Sequence, residues 1–152
     1  LLVKREDLNH PQVSGNKWWK LRHNIDEAYR LNKHTLLTFG GAYSNHIYAT
    51  AAAAHAAGFK SIGIIRGEET LPLNHTLTFA RQCGMHLHYL SRTTYRQKYN
   101  AELLNDLKNL YGDYYLIPEG GSNALGVAGC TELGALLQTI PFDVVCVSVG
   151  TG

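Results

Sequence analysis

One stretch near the start of the chain decides the fold: Ser14-Gly15-Asn16-Lys17-Trp18-Trp19-Lys20-Leu21. Gly15 can adopt backbone angles that are closed to other residues, and Asn16 is a residue type favoured at helix N-caps. Farther along, apolar residues recur at helical spacing, which predicts a helix that ends near Leu31. The pattern therefore places Lys17 at the opening of a helix.

The position of Lys17 affects its chemistry. The N-terminal end of a helix carries partial positive charge, which disfavours an ammonium and favours the neutral amine. A neutral, nucleophilic amine is what a lysine that forms Schiff bases needs. The alternative is a solvated surface lysine, which is the commoner situation for a lysine taken alone.

Length and composition exclude several classes of protein. The chain has 152 residues, a net charge of +2, an apolar share of 45% and a charged share of 17%. These values fit a globular protein of one domain or two small lobes. Basic and acidic residues are interspersed and no apolar run reaches the ~20 residues of a membrane span, so neither a nucleic-acid nor a membrane partner is expected.

The first residues of the chain and its cysteines give two further expectations. The chain starts without a methionine or a signal sequence, and we interpret its first residue as a cut edge. Three cysteines at wide spacings, Cys83, Cys130 and Cys146, argue against a disulfide framework and indicate a reducing, cytoplasmic location.

After the first helix, short β-prone runs alternate with helical patterns that end in glycine. This rhythm predicts four strands and three helices in a parallel sheet covered on both faces. The predicted strands are 35–39, 61–65, 86–90 and 114–117, and the predicted helices are 44–57, 73–83 and 96–111. We expect residues 35–117 to form a small α/β domain.

The rhythm breaks at Pro118-Glu119-Gly120-Gly121-Ser122-Asn123. A helix is predicted from Leu125 to Leu137, followed by a buried strand from Asp143 to Val149. A strand that runs into Gly150, Thr151 and Gly152 is typical of the beginning of a phosphate-binding loop.

The turn Gly40-Gly41-Ala42-Tyr43-Ser44-Asn45-His46 joins a predicted strand to a predicted helix. Ligands bind at this edge of open parallel sheets, so Ser44, Asn45 and His46 are candidate site residues. Ser44 or Asn45 could instead simply cap the helix. A serine hydrolase is disfavoured because no glycine follows Ser44 at the spacing of a nucleophile elbow.

His86 and His88 lie on one face of a predicted strand and could clasp a metal ion. A third ligand at useful spacing is missing from the sequence pattern. Ordinary surface histidines are therefore the preferred interpretation, and no metal is expected.

Three motifs taken together resemble the family of D-cysteine desulfhydrases and 1-aminocyclopropane-1-carboxylate (ACC) deaminases. They are residues 4–8 with 15–21, residues 40–46, and residues 118–126, and the resemblance covers nearly the whole chain. Members are pyridoxal-phosphate (PLP) enzymes of the tryptophan-synthase-like fold, fold type II. The resemblance implies an α/β fold with parallel sheets and PLP as the cofactor.

The resemblance also implies roles for individual residues. Lys17 would form the Schiff base and move the substrate α-proton, with Lys20 near the cofactor phosphate. Asn45 would bind the phenolic oxygen of the cofactor, and Ser44 the substrate carboxylate or its reacting carbon. The remaining candidates are His46, Gly121 and Ser122 for the substrate and Gly150, Thr151 and Gly152 for the cofactor.

Relatives of this family continue beyond Gly152 with the rest of the phosphate loop, the partner of the pyridine nitrogen and an active-site tyrosine. We therefore expect a fragment: 1–34 as part of a large domain, 35–117 as the small domain, and 118–152 as the return into the large domain. Expressed alone, these residues should be inactive. Smaller departures from the family pattern are Ser14, the Trp18-Trp19 pair and His55.

For the activity, the motifs look more like the desulfhydrase form, because ring-opening relatives typically carry glutamine at the position of His46. The expected reaction is β-elimination of D-cysteine to pyruvate, hydrogen sulfide and ammonia by a cytoplasmic homodimer. A neutral His46 could donate a hydrogen bond or assist proton transfer, or act indirectly. The alternatives are an ACC deaminase that yields 2-oxobutanoate and ammonia, and a non-catalytic ligand-binding protein.

Overall fold

The computed structural model describes residues 2–147. Within that range lie six α-helices, four strands and two short 3-10 turns. The helices are α1 (Asn16–Arg30), α2 (Asn45–Ala56), α3 (His75–Gln82), α4 (Arg92–Arg96), α5 (Ala101–Tyr111) and α6 (Ala124–Leu137). The strands are β1 (Thr35–Gly41), β2 (Lys60–Arg66), β3 (Met85–Leu90) and β4 (Tyr115–Ile117).

The four strands form one parallel sheet in the order β3-β2-β1-β4. In its register, Thr38 of the central strand β1 lies between Gly63 of β2 and Ile117 of β4. The loops that follow β1 and β4 therefore leave the same edge of the sheet side by side. This neighbourhood brings residues 40–46 next to residues 118–122.

Both faces of the sheet are covered, as the sequence predicts, because successive residues of a strand point to opposite faces. Leu37 and Phe39 of β1 pack in a cluster with Tyr95 of α4 and Leu107 of α5. On the other face, Thr38 meets α2 through its side chain. The sheet is thus a central layer between α2 and α3 on one side and α4 and α5 on the other.

Small residues let the helices approach closely. Ala49, Ala51 and Ala54 of α2 are completely buried. Gly129 of α6 lies directly against α1, since a Cβ atom there would stand 1.9 Å from the carbonyl oxygen of Trp19. The backbones of α1 and α6 are therefore in contact, and no larger residue fits at that crossing.

Three local predictions need correction. The N-cap of α1 is Gly15, with φ 61° and ψ −143°, so Asn16 is the first helical residue and does not cap. The helix expected over 96–111 begins only at Ala101, as α5, because Asn100 is extended and caps it with its side chain, and a separate short helix, α4, precedes it. A glycine with positive φ and an asparagine cap both act locally, where hydrophobic periodicity carries little information.

The strand expected from Asp143 to Val149 is not formed within 143–147, and residues 148 and 149 lie outside the described range. Val144 is 76% exposed and Val147 78% exposed, whereas a buried strand was expected. A strand needs a hydrogen-bonded neighbour, and residues 2–147 place none beside this segment. None of the helices in the described range has the length and apolar character to cross a membrane.

Candidate active site

Three segments converge at the carboxyl edge of the sheet: the start of α1, the start of α2, and the loop that follows β4. Lys17 of α1 contacts this loop through a hydrogen bond from its Nζ to the carbonyl oxygen of Gly120, at 3.2 Å. His46 of α2 lies against the same loop, because a Cβ at Gly121 would stand 3.6 Å from its Cε1 atom. The convergence therefore brings together candidates that are far apart in sequence.

Lys17 is a buried lysine, with 8% of its surface exposed. Burial is the largest cause that lowers the pKa of its ammonium, the nearby charge of Lys20 lowers it further, and Cys130 opposes both. A lowered pKa was expected from the sequence because of the helix terminus, and in the structure burial is the largest cause. The amine can therefore be neutral more readily than that of an exposed lysine.

Lys20 lies one turn farther along α1 and is half-buried. Its Nζ donates a long hydrogen bond, 3.4 Å, to the hydroxyl of Ser122. Gly121, between this hydroxyl and the Lys17 contact, has φ 70°, and a Cβ there would stand 3.2 Å from the Cβ of Lys20. Glycine adopts this backbone without strain, and its lack of a side chain lets the loop lie so close to α1.

Ser44 is the N-cap of α2, and its hydroxyl oxygen accepts hydrogen bonds from the amides of His46 at 3.2 Å and Ile47 at 3.3 Å. The capping interpretation is thus confirmed, while the hydroxyl hydrogen remains available to donate to a ligand. Asn45 is exposed, and its side-chain amide has no hydrogen-bond partner within residues 2–147.

His46 is the most buried of the polar candidates, with 3% exposure. Burial, and then the charges of Lys17 and Lys20, lower its pKa to about 3, although the Pro118 carbonyl opposes the shift. The ring is therefore neutral at physiological pH. Its expected use as a near-neutral proton carrier is wrong, because the low-dielectric surroundings and the two lysines disfavour the imidazolium.

The sequence analysis missed Thr38. Its side-chain oxygen lies 2.8 Å from Nε2 of His46 and 2.8 Å from the carbonyl oxygen of Ile117, to which its hydroxyl donates. Thr38 is completely buried, and in sequence it is one more β-branched residue of a strand. Only the pairing of β1 with α2 shows that it supports a site residue.

A buried amide network beneath the lysines was also missed. Asn24 of α1 has no exposed surface, donates to the Lys20 carbonyl at 2.7 Å, and accepts from Asn123 at 2.8 Å and from the Tyr115 hydroxyl at 3.1 Å. Asn123 also caps α6 by accepting from the Gly126 amide at 2.8 Å. Asparagine is unfavourable inside a helix, which is a signal that could have drawn attention to Asn24.

Other candidates are not brought to this site. Gly150, Thr151 and Gly152 lie outside the described residues. His86 and His88 are on β3, the edge strand opposite β4, and His88 Nδ1 lies 2.7 Å from the hydroxyl of Tyr111. Within residues 2–147, no group of three or more side chains is placed to hold a metal ion.

Known proteins are similar to this chain in sequence, and a solved structure is similar to it in fold. A putative ACC deaminase of Pyrococcus horikoshii is 29% identical over 99% of this chain and 47% of its own length. A mitochondrial bifunctional D-cysteine desulfhydrase/ACC deaminase of Arabidopsis thaliana is 32% identical over 100% of this chain and 42% of its own length. A solved structure described as an ACC deaminase homologue superposes with a TM-score of 0.76 and 27% identity over 91% of this chain and 42% of its own.

Over nearly its whole length the chain is similar to members of the family of D-cysteine desulfhydrases and ACC deaminases. The resemblance carried by the three motifs is thereby confirmed, as is the expected α/β architecture of fold type II. No protein-family model matches the sequence. The chain spans about half the length, 47% and 42%, of these two relatives of the family.

Proposed function

We propose that the full-length protein is a PLP-dependent enzyme that eliminates sulfide from D-cysteine. With one water molecule consumed, D-cysteine yields pyruvate, hydrogen sulfide and ammonia. The observation that carries this proposal is the buried Lys17 amine, whose pKa is lowered and which faces the loop after β4 beside the start of α2. Similarity to a family whose members include a D-cysteine desulfhydrase supports the same conclusion.

The residues in this chain fit PLP chemically. An aldehyde needs a neutral primary amine, and burial favours that form of Lys17. A phosphate needs cations or free amides, and Lys20 provides a cation one turn along the same helix. A phenolic oxygen needs a donor, and the side-chain amide of Asn45 is free within the described residues. We assign these three residues to the cofactor, together with Gly150, Thr151 and Gly152.

When bound, PLP acts as an electron sink for the electron pair left at the substrate α-carbon. In our mechanism the Lys17 amine takes the α-proton, and the sulfur then leaves the β-carbon as thiolate. Ser44 uses its free hydroxyl hydrogen to hold the substrate carboxylate, while its oxygen remains bound to the amides of α2. Gly121 and Ser122 line the substrate pocket, and burial of Lys17 excludes water from the amine.

ACC deamination is the second candidate function, and the names of two relatives favour it. That reaction gives 2-oxobutanoate and ammonia from a cyclopropane that has no α-proton. Lys17 could therefore not start that reaction by taking an α-proton, and a different bond would have to break first. His46, where ring-opening enzymes typically carry glutamine, leads us to prefer D-cysteine.

For the whole molecule we propose a cytoplasmic homodimer in which 35–117 is the small domain. Residues 1–34 and 118–152 belong to the large domain in this proposal. The division into domains is supported by the direct contact of α1 with α6, in which Gly129 lies against the Trp19 carbonyl. Light scattering of the full-length protein checks the dimer, and limited proteolysis near residues 34 and 118 checks the division.

The function is tested by giving the full-length protein, loaded with PLP, each substrate separately. We expect sulfide and pyruvate from D-cysteine, with kcat/KM at least tenfold above that for 2-oxobutanoate from ACC, which is about 1.4 kcal/mol of transition-state preference. Borohydride reduction followed by peptide mass spectrometry should locate the cofactor on Lys17. A tenfold preference for ACC would overturn the substrate, and an unlabelled Lys17 would overturn the cofactor assignment. Absence of both products would favour a ligand-binding protein.

A further inference from the structure

His46 has an unused hydrogen-bonding atom at the centre of the candidate site. Its ring is almost completely buried, and its Nδ1 atom has neither solvent contact nor a hydrogen-bond partner among the described residues. A buried polar atom left in this state destabilises a protein, because it has lost its hydrogen bonds to water and gained none in return. An acceptor or donor that is kept at such a cost inside a ligand site is a candidate for contact with the ligand.

The contacts of Thr38 determine whether Nδ1 of His46 is a hydrogen-bond donor or an acceptor. A hydroxyl has one hydrogen, and the Thr38 hydrogen lies on the path to the Ile117 carbonyl oxygen, 2.8 Å away, which can only accept. The contact of 2.8 Å between Thr38 and His46 therefore needs its hydrogen on Nε2 of the ring. In a neutral imidazole the other nitrogen then carries a lone pair, so Nδ1 is an acceptor.

The surroundings of the ring indicate what this acceptor would meet. The ring edge at Cε1, which adjoins Nδ1, faces Gly121. Lys17 and Lys20 are the charged groups near enough to act on the ring, and besides Thr38 the Pro118 carbonyl interacts with the ring as a hydrogen-bond acceptor. Lone pairs attract N–H donors, and the two charged side chains that act on this ring both end in amines.

We propose that Thr38 is a positioning residue that holds His46 as the Nε2–H tautomer, so that Nδ1 accepts a hydrogen bond from a primary amine in the pocket. This inference rests on the proposed function for the identity of the amine, which is either the Lys17 amine or the amino group of the amino-acid substrate. It replaces the expected donor role of His46 by an acceptor role. Thr38 acts only through the ring and does not touch the reacting atoms.

The tautomer is tested by ¹⁵N NMR of the full-length protein with labelled histidine, with Thr38→Val and its matched control Thr38→Ser. Valine keeps the shape and removes the hydroxyl, whereas serine keeps the hydroxyl. We expect a protonated Nε2 and an unprotonated Nδ1 in the wild type and in the serine variant, and a loss of this preference in the valine variant. A protonated Nδ1 in the wild type would overturn the proposal, even if the valine variant does not fold.

The amine is tested with D-alanine, which has the amino and carboxylate groups of D-cysteine but no leaving group on its β-carbon. If the substrate amine is the donor, D-alanine should move the Nδ1 resonance of the PLP-loaded protein. Its Kd should rise about tenfold in Thr38→Val and remain within twofold in Thr38→Ser. If Lys17 is the donor, Lys17→Ala should move the resonance without any ligand.

An Nδ1 resonance that neither D-alanine nor Lys17→Ala moves would overturn the acceptor role. The tautomer measurement needs no cofactor and no turnover. The two proposals can therefore fail separately. If the D-cysteine activity is wrong, no product forms but the tautomer is as described. If this inference is wrong, the tautomer or the response of the Nδ1 resonance differs.

Discussion

The starts of α1 and α2 lie side by side at the candidate site, but they are built in opposite ways. Helix α2 begins with a side-chain cap from Ser44, and the next residues, Asn45 and His46, carry no charge at physiological pH. Helix α1 begins at Gly15 without a side-chain cap and places Lys17 in its first turn. One start follows the usual preferences of helix termini, and the other opposes them.

The difference shows where the chain retains an unfavourable arrangement. An ammonium at a helix N-terminus is disfavoured, and no carboxylate within residues 2–147 forms an ion pair with Lys17. Stability alone does not require a buried lysine at this place. In our proposal the neutral start of α2 is suited to binding, and the buried amine at the start of α1, with its lowered pKa, is suited to covalent chemistry.

The largest effect should come from the start of α1. Lys17→Ala removes the amine that takes the α-proton in our mechanism, so we expect turnover of D-cysteine to fall at least about a thousandfold, or about 4 kcal/mol. Lys20→Ala, one turn away, removes a charge but leaves that amine, and roughly a ten- to hundredfold loss is expected. Initial rates of sulfide release measure both. Equal losses of activity in the two variants would contradict the different roles proposed for Lys17 and Lys20.

An intermediate effect concerns the start of α2 and appears in stability at low pH. The pKa of His46 is about 3 in the folded protein, compared with 6.5 in the unfolded chain. Between these values the unfolded chain binds a proton that the folded protein does not, so stability is lost as the pH falls from 6.5 toward 3. By pH 5 the loss should reach about 2 kcal/mol.

His46→Gln removes this titration but keeps a donor for Thr38, so its unfolding free energy should fall less between pH 8 and pH 5. Urea unfolding at the two pH values measures the difference. The exposed residue His34 provides the control, since His34→Gln should behave like the wild type. A His46→Gln variant as acid-sensitive as the wild type would mean that His46 is protonated normally in the fold.

The smallest effect should come from the cap of α2. Ser44→Ala removes the acceptor of two amides and should lower stability by about 1 kcal/mol. Asn100→Ala removes a similar cap from α5, whose amide contact with Glu102 is 2.9 Å long, and should destabilise equally. Only Ser44→Ala should also lower kcat/KM, by about tenfold or more. If both variants retain full activity, Ser44 is a cap and nothing else.

The sequence predicted those features that local patterns determine. The alternation of strands and helices, the parallel sheet and the place of Lys17 at a helix opening all follow from short-range periodicity and from glycine. These predictions agree with the structure because they need no knowledge of distant neighbours. The resemblance to a family, carried by three motifs, added the proposed chemistry of that lysine without any geometry.

What the sequence could not predict depends on contacts across the fold. The support of His46 by Thr38 requires the packing of α2 on β1, and the pair Asn24 and Asn123 is separated by 99 residues. The strand expected from residue 143 depends on a neighbouring strand, which is absent within 2–147. The burial of Lys17 belongs to the same class, because the loop after β4 covers it.

The hydrogen bond from Lys17 to Gly120 joins residues 103 positions apart. At about 5–20 residues per second, a ribosome needs on the order of 5–20 s to add the chain between them. Throughout that interval the amine lacks the loop that later buries it, and it behaves like any other lysine of a nascent chain. Burial is the largest cause of its lowered pKa, so under the proposed function the amine can bind an aldehyde cofactor only late in synthesis.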